Sequence, residues 1–208
     1  MESFDGYLRI APEVFMRITP TRRASEKHYR RLEEVAPKTG IVRVLRITEK
    51  QYVLKLNEEN VNVLIPTDRE ELEYLAEKAA LFQTIYVDEV PAGFIIALRE
   101  GLEDYDFKSY RWFKERYSKF LYIDRVVVEK QYWKKGLGRK LYHYAFDYAK
   151  ENDIDIVGAA ITTVPYNKES LAFHAKMGFT EVGEQLIRGG TVKISQQVLL
   201  LQYQVGQT

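Results

Sequence analysis

The sequence predicts an α/β fold: a sandwich of helices around a mixed β-sheet, preceded by an amino-terminal appendage. Segments with strand periodicity and segments with helical spacing follow one another along most of the chain, an order typical of α/β domains. At the centre, an apolar strand at 120–128 runs through a glycine-containing turn into a helix that ends near Lys150. The 208 residues are 46% hydrophobic and 29% charged, enough to bury one sizeable core.

The first 40 residues form the predicted appendage. Pro12, Pro20 and Pro37 interrupt it, and between these breaks Ser25 begins a short basic helix that ends near Val35. We expect a solvated helix docked by a narrow apolar stripe. Glutamates interrupt its basic charge, so a nucleic-acid arm is not favoured. Packing against a second subunit, in a homodimer, is an alternative.

The domain proper covers residues 41–203, and residues 204–208 form a polar tail. Its predicted strands are 41–47, 82–87, 94–98, 120–128, 154–161, 179–187 and 192–201. Its predicted helices are 49–59, 67–80, 139–150 and a segment that begins at Asn167. A capping box of Thr67 and Glu70 starts the second helix, and residues 88–93 form the turn of a hairpin.

Residues 99–119 form an unusually long connection, which we call the aromatic insert. Connections above about twelve residues are usually functional or disordered. This one is too aromatic for disorder, and Tyr110, Phe113 and Tyr117 share the spacing of a short helix. Two interpretations remain open: a satellite core under a long loop, or a lid over a substrate pocket that includes Trp112.

Composition and charge exclude several functions. The formal net charge is +1, so nothing global points to nucleic acid or to an anionic membrane. Without cysteine there is no disulfide, no thiolate nucleophile and no cysteine zinc site, and three scattered histidines make no metal motif. The amino terminus does not resemble a signal peptide and no apolar run reaches membrane-spanning length, so we expect a cytoplasmic protein.

The turn around Gly136-Leu137-Gly138 has the features of a phosphate site. Glycines let backbone amides approach a ligand, and the helix that starts here presents unpaired N–H groups and its positive dipole end. Four cationic residues surround it: Lys134, Lys135, Arg139 and Lys140. No P-loop run occurs, and Leu141 stands where a dinucleotide fingerprint needs its third glycine.

The pattern x-x-G-x-G between a strand and a helix resembles the acetyl-CoA signature of the GNAT acetyltransferase superfamily. A second signature lies downstream: Asn167, Ser170, Gly178 and Phe179 fit the family spacing, with His174 where the family often has tyrosine. The run RWFKERYSKFLYIDRVVV also resembles an uncharacterised bacterial group of predicted GNAT acetyltransferases.

This resemblance implies a mixed, mostly antiparallel sheet of about seven strands with helices on both faces. Its fourth and fifth strands, near 120–128 and 154–161, splay apart. It also implies an N-acetyltransferase that moves an acetyl group from acetyl-CoA to a primary amine. Trp133 departs from the family, which has Gln or Arg at this pyrophosphate-contacting position.

The resemblance also implies which residues contact acetyl-CoA. The strand backbone would pair with the pantetheine arm, the turn would hold the pyrophosphate, and the downstream helix would contact the cofactor further along. These residues are Val126, Val127, Val128, Lys134, Lys135, Gly136, Leu137, Gly138, Arg139, Asn167 and Ser170.

Two residues are candidates for proton transfer. Asp124 and Arg125 interrupt an apolar strand, and adjacent strand residues point to opposite faces, so Asp124 is a candidate base in a wet cleft. A structural ion pair, an acceptor-binding carboxylate and a water chain are the alternatives. His174 is a candidate acid for the departing thiolate, and packing beside Phe173 is its alternative.

Tyr122 and Trp112 are predicted to contact the acceptor, Tyr122 because it shares a strand face with Asp124. Two other classes of function stay open. One is a GNAT-fold module that binds acyl-CoA without turnover, and the other is an assembly protein that uses the appendage and the aromatic insert as interfaces.

Overall fold

The computed structural model of the chain describes residues 7–11, 14–17, 41–44, 50–61, 64 and 66–201. Its strands are β1 (Tyr7–Ala11), β2 (Val14–Arg17), β3 (Ile41–Val44), β4 (Leu81–Val87), β5 (Val90–Arg99), β6 (Leu121–Val128), β7 (Ile156–Val164), β8 (Thr180–Ile187) and β9 (Val192–Leu200). Its helices are α1 (Lys50–Glu58), α2 (Arg69–Lys78), α3 (Lys108–Lys114), α4 (Leu137–Glu151) and α5 (Lys168–Lys176), with short 3₁₀ turns at Lys130–Tyr132 and Arg188–Gly190.

Seven strands form one sheet in the order β3-β4-β5-β6-β7-β9-β8. Within this sheet β6 and β7 are parallel, and each of the other neighbouring pairs is antiparallel. The predicted mixed, mostly antiparallel seven-stranded sheet is therefore confirmed.

Helices cover both faces of this sheet and divide the core into two layers. On one face, called the α4 face, residues of α4 such as Leu141 and Ala145 pack on Ile95 and Ile123. On the other, called the α2 face, residues of α1, α2 and α3 pack on Phe94 and Tyr122. Any ligand that enters between two strands can thus contact groups from both layers.

In the predicted appendage, β1 and β2 pair as an antiparallel two-stranded sheet, which the sequence reading did not anticipate. The predicted basic helix at 25–35 and the whole polar tail at 204–208 lie outside the described residues. The extent of the appendage stays a prediction.

Two local predictions need correction. Asp68, not Thr67, caps α2: its side chain accepts a hydrogen bond from the Glu71 amide. The β4–β5 turn consists of Asp88 and Glu89 alone, both at positive φ (50° and 63°), which suits a tight two-residue hairpin. Gly93 lies inside β5, where a Cβ would come within 2.4 Å of a backbone oxygen of β6.

Candidate active site

The site is organised by the point at which β6 and β7 part. These strands pair from Leu121 opposite Val157 to Ile123 opposite Ala159, and beyond this level β6 has no pairing with β7. Both strands nevertheless continue, to Val128 and Val164. The predicted splay is confirmed, and it leaves the second half of β6 with an open edge.

A β-bulge lies at the start of this open edge. Arg125 is opposite Ile96 and Ile123 is opposite Ala97, so Asp124 is an extra residue with no partner in β5. The extra residue shifts the alternation of β6: Ile123 packs on the α4 face before the bulge, and Val126 packs there after it.

This shift corrects the expectation that Asp124 and Arg125 point to opposite faces. Both side chains lie on the α2 face and pair with each other, Arg125 Nε to Asp124 Oδ2 at 2.7 Å. Arg125 also binds Glu71 of α2 at 3.0 Å and Asn57 of α1 at 3.3 Å. Burial opposes the guanidinium charge, but Asp124 and other neighbours outweigh it and raise the pKa of Arg125.

Asp124 is therefore part of a buried ion-pair network. Its side chain is fully buried, and its second oxygen accepts a hydrogen bond from the Tyr105 hydroxyl at 2.6 Å. A fully buried carboxylate with a partner on each oxygen suits the ion-pair alternative better than the role of a general base, which must come within hydrogen-bond reach of the proton it removes.

The open edge of β6 presents backbone groups of Val126 and Val128. The Glu129 amide donates to Ala92 in β5, and backbone groups of alternate residues point to opposite edges of a strand. By this alternation Val127 faces β5, whereas Val126 and Val128 face the gap beside β7. Of the three predicted contacts in β6, these two have the backbone orientation that a strand-like ligand requires.

The turn before α4 has the geometry of an anion site. Gly136 is its N-cap in the left-handed region, with φ of 82°, and α4 begins at Leu137. The first amides of a helix have no acceptor within it, and Lys140 is the first whose amide reaches back, to Gly136. These amides point out at the positive end of the helix dipole.

The predicted residues of this turn differ in exposure. The side chains of Lys134, Lys135 and Arg139 are exposed, so an anion at the turn could reach their positive charges. The Leu137 side chain is buried, so only its backbone is available to such an anion. A Cβ at Gly138 would touch only the Phe173 ring, at 3.6 Å, so nothing in the chain itself forbids a side chain there. Lys140 follows Arg139 in the first turn of α4, and burial lowers the pKa of its side chain to about 8.

Trp133 closes the end of the open edge. Its indole Nε1 donates to the Val128 carbonyl at 2.7 Å, although the side chain is 44% exposed. An indole that occupies one acceptor of β6 thus stands where the family signature has Gln or Arg.

The second predicted signature lies on α5. Asn167 caps this helix by accepting from the Ser170 amide at 3.2 Å, and Gly178, with φ of 87°, follows its end. Phe179 then enters the core of the α4 face. The motif therefore builds a capped helix beside β7, and cofactor contacts of Asn167 and Ser170 stay a prediction.

His174 is 5% exposed and lies between α5 and α4. Its Nδ1 is 2.8 Å from the Ser170 carbonyl and its Nε2 is 2.5 Å from the Tyr142 hydroxyl. The ring meets Phe173 and Phe179 edge to face. Burial lowers the pKa of His174 to about 4, so it is neutral at pH 7. Both nitrogens have partners, and the geometry favours packing over proton donation.

The two predicted acceptor-binding residues lie inside the core of the α2 face. Tyr122 is covered by Phe113 and Tyr110 of α3. Trp112 is 9% exposed and packs on β8, where a Cβ at Gly183 would come within 2.8 Å of its ring. Their contacts favour the satellite-core interpretation of the aromatic insert.

A cavity of about 280 Å³ opens instead between α2 and the insert. It is lined by Glu71, Tyr74, Asp104, Tyr105, Asp106 and Phe107. Sequence reasoning missed these residues as a group, since Glu71 and Tyr74 are distant in sequence from the insert. The available signal was the density of aromatic residues at 105–107.

Among the described residues no helix is long and apolar enough to cross a membrane. In the same part of the chain, no three His, Cys, Asp or Glu side chains come together as a metal site.

A helix start with outward-pointing amides, beside a parted pair of parallel strands within the sheet, is the geometry expected of a protein that takes a phosphate-bearing cosubstrate. Residues 41–179, two thirds of the chain, match the acetyltransferase (GNAT) family. The chain belongs to this family and is a GNAT-type N-acetyltransferase.

Solved structures show the same fold at low sequence identity. NAA60 from Arabidopsis thaliana, in complex with a bisubstrate analogue, is 16% identical with a TM-score of 0.63, covering 78% of this chain and 98% of that one. Ard1 from Thermoplasma volcanium is 14% identical with a TM-score of 0.62, covering 77% and 98%. The ribosomal-protein-S18-alanine N-acetyltransferase of Escherichia coli is 14% identical with a TM-score of 0.55, covering 78% and 94%.

One curated protein also matches part of the chain. The CRISPR-associated endoribonuclease Cas2 of Lacticaseibacillus rhamnosus is 26% identical over 77 residues, which are 37% of this chain and 70% of that protein.

Proposed function

We propose that the chain transfers the acetyl group of acetyl-CoA to a primary amine, with the donor bound along the open edge of β6 and at the start of α4. The observation that carries this proposal is the continuity of the two features. The open-edge groups of Val126 and Val128 lead directly, through the turn at 129–136, to the free first-turn amides of α4.

In this proposal the backbone of β6 holds the pantetheine arm as an added strand would be held, and the amides of residues 137–139 hold the pyrophosphate. The exposed Lys134, Lys135 and Arg139 add long-range attraction, which is modest in water. Asn167 and Ser170 contact the cofactor from α5.

The Val126 amide is the first open-edge donor beyond the bulge, and it polarises the thioester carbonyl. An oxyanion donor of this kind typically contributes about a hundredfold or more in rate. An acceptor that enters as an ammonium first gives one proton to solvent. The neutral amine then attacks the carbonyl carbon, the new C–N bond forms and the C–S bond breaks. The second proton lost by the amine balances the proton gained by the thiolate. Water carries the proton from the amine in this proposal, because the Asp124 side chain is fully buried within its ion-pair network.

The acceptor enters from the α2 face, through the cavity between α2 and the insert. The observations that support this route are its carboxylates, Glu71, Asp104 and Asp106, and its link to the bulge through Tyr105. Two of these carboxylates already have cationic partners, Arg125 for Glu71 and Arg111 for Asp106. The remaining negative charge favours a cationic acceptor.

The test is release of free CoA thiol from acetyl-CoA in the presence of a panel of primary amines, including peptides with free amino termini and lysine. Because the chain has no cysteine, a thiol reagent gives no background from the protein. We expect CoA release that depends on one class of amine. Acetyl-CoA binding without release, over the whole panel, would favour the non-catalytic module instead.

Gly138→Val supplies the control for the donor site. The Cβ of the added side chain meets only the Phe173 ring, at contact distance, yet it lies among the amides that hold the pyrophosphate. We expect calorimetry to show acetyl-CoA affinity reduced at least a hundredfold. Lys150→Val, exposed in the last turn of the same helix, is the control that places the same side chain far from the glycine turn. Unchanged affinity in folded Gly138→Val would contradict the donor site.

A further inference from the structure

We propose that Tyr105, in the aromatic insert, is a positioning residue for acetyl transfer: its hydroxyl fixes Asp124 and thereby the β6 bulge that sets the Val126 amide. This inference rests on the proposed function. It assigns the insert a role that is neither a lid nor only a satellite core.

The contact itself is short and enclosed. The Tyr105 hydroxyl donates to Asp124 Oδ1 at 2.6 Å, Tyr105 is 5% exposed, and the Asp124 side chain is fully buried. Burial, followed by the Asp124 charge, raises the pKa of Tyr105, so the phenol keeps its proton and remains a donor. Hydrogen bonds to a charged group are among the stronger ones in proteins.

Asp124 depends on its side-chain contacts more than its neighbours do. As the extra residue of the bulge it has no partner in β5, and pairing with β7 has ended one residue earlier. Its carboxylate is held from two directions, by Arg125 on Oδ2 and by Tyr105 on Oδ1. Arg125 is itself bound to α1 and α2, through Asn57 and Glu71. Tyr105 is the residue through which the insert holds Asp124.

The Tyr105 ring is itself fixed. It stacks on Tyr74 of α2 with ring centroids 5.8 Å apart and meets Tyr110 edge to face at 5.3 Å. Phe107 packs against it at 4.9 Å. A hydroxyl on a ring packed from three sides has little freedom to follow Asp124 if the bulge moves, so it holds the bulge in one geometry.

The position of the bulge affects the acetyl-transfer step because Val126, whose amide polarises the thioester carbonyl, follows Asp124 by two residues. A misplacement of about 1 Å in a reacting geometry can cost about a hundredfold in rate. When the Tyr105 hydroxyl is absent, the carboxylate keeps its arginine and the strand keeps its fold, but the oxyanion donor is less well fixed. The expected loss falls on the chemical step and not on binding.

The experiment compares Tyr105→Phe with Tyr110→Phe. Tyr110 is a fully buried tyrosine of the same insert whose hydroxyl donates to the Arg99 carbonyl at 2.7 Å and does not contact Asp124. Each variant loses one buried hydroxyl and keeps its ring. We expect Tyr105→Phe to lower kcat about tenfold, with acceptor KM and acetyl-CoA Kd within about twofold of wild type. Tyr110→Phe should lower Tm at least as much and leave kcat near wild type.

Amide hydrogen exchange over residues 123–127 gives a readout that does not need turnover. We expect faster exchange in Tyr105→Phe than in wild type or Tyr110→Phe. Equal kcat in the two variants, or equal exchange in β6, overturns the proposal. If the wild-type chain transfers acetyl to no amine, the proposed function fails, and the exchange comparison still decides whether Tyr105 holds the bulge.

Discussion

Phe113 of α3 lies directly against Gly158 of β7: a Cβ built on Gly158 would stand 2.4 Å from the ring. No side chain other than hydrogen fits between the helix and the strand at this point. The aromatic insert is thus seated on β7, one strand away from the bulge, and its helix is part of the core of the α2 face.

This contact predicts the effect of Gly158→Ala. The added methyl group must displace the Phe113 ring, and overpacking of this kind typically costs about 1–3 kcal/mol. We expect a lower free energy of unfolding in urea denaturation, with part of the loss recovered by Phe113→Leu in the same chain. An additive double variant would show that the two residues do not press on each other.

Trp112→Ala tests the interpretation of the neighbouring residue. Trp112 packs on Phe113 and Gly183, and the Arg116 guanidinium lies 4.2 Å from its ring centroid. Removing a buried tryptophan typically costs about 3–5 kcal/mol. We expect a markedly lower Tm, with acceptor KM and acetyl-CoA affinity unchanged at a temperature where the variant is folded. A changed acceptor KM under those conditions would support the original prediction that Trp112 binds the acceptor.

Trp133 predicts a change in donor affinity. Its indole N–H occupies the Val128 carbonyl, an acceptor that a strand-like ligand would otherwise use. Trp133→Phe keeps an aromatic ring and removes the N–H that donates to the Val128 carbonyl. We therefore expect acetyl-CoA to bind more tightly, by a few fold. Trp133→Arg, which restores a residue type of the family signature, should tighten binding further by adding a charge near the pyrophosphate. Calorimetry of both variants checks these expectations. Weaker binding of acetyl-CoA by Trp133→Phe would show that the indole helps to bind acetyl-CoA.

The lowered pKa of His174 leads us to predict a specific dependence of the free energy of unfolding on pH. Its pKa is lowered to about 4 in the folded chain, against about 6.5 when unfolded. Between about pH 4 and pH 6.5, His174 is protonated in the unfolded chain and neutral in the folded chain, and this difference favours unfolding. The stability that the neutral His174 contributes is therefore fully present above pH 6.5 and is lost as the pH falls toward 4. The full loss is of the order of 3 kcal/mol.

His174→Phe removes this titration. We expect the free energy of unfolding of the variant to fall less than that of wild type between pH 6.5 and pH 4, whatever other groups titrate in both. Turnover per folded molecule should stay near wild type. A loss of about a hundredfold in turnover, with acetyl-CoA affinity unchanged, would instead support the role of a general acid.

The fold was predictable because its signals are local. Alternating apolar residues define the strands, and the glycine turn before α4 combines backbone freedom, a helix start and positive charge within a few residues. The cap of α2 was misplaced by one residue because Thr67 and Asp68 are both good capping residues, and only the tertiary path of the chain selects between them.

The bulge was not predictable in the same way. Residues 126–128 are all valines, so the apolar pattern looks the same whether the alternation shifts at Asp124 or not. Tyr105 and Asp124 are 19 residues apart, and His174 and Tyr142 are 32 apart. Such pairings depend on how helices and loops dock on the sheet, and no periodicity in the sequence records them. The catalytic predictions for Asp124 and His174 rest on sequence position alone, which does not contain these partners.

The bulge also gives β6 one position at which its length could change without turning the strand. Ile123 and Arg125 already face opposite layers, so removing residue 124 would restore an unbroken alternation with every remaining side chain on its present face. Arg125 would stay in the layer that holds Glu71 and Asn57, whereas the Tyr105 hydroxyl would lose its acceptor. A deletion of Val126 or Val127 would instead move the side chains beyond it to the opposite face. In a library of single-residue deletions along this strand, we therefore expect the deletion of residue 124 to disturb folding least.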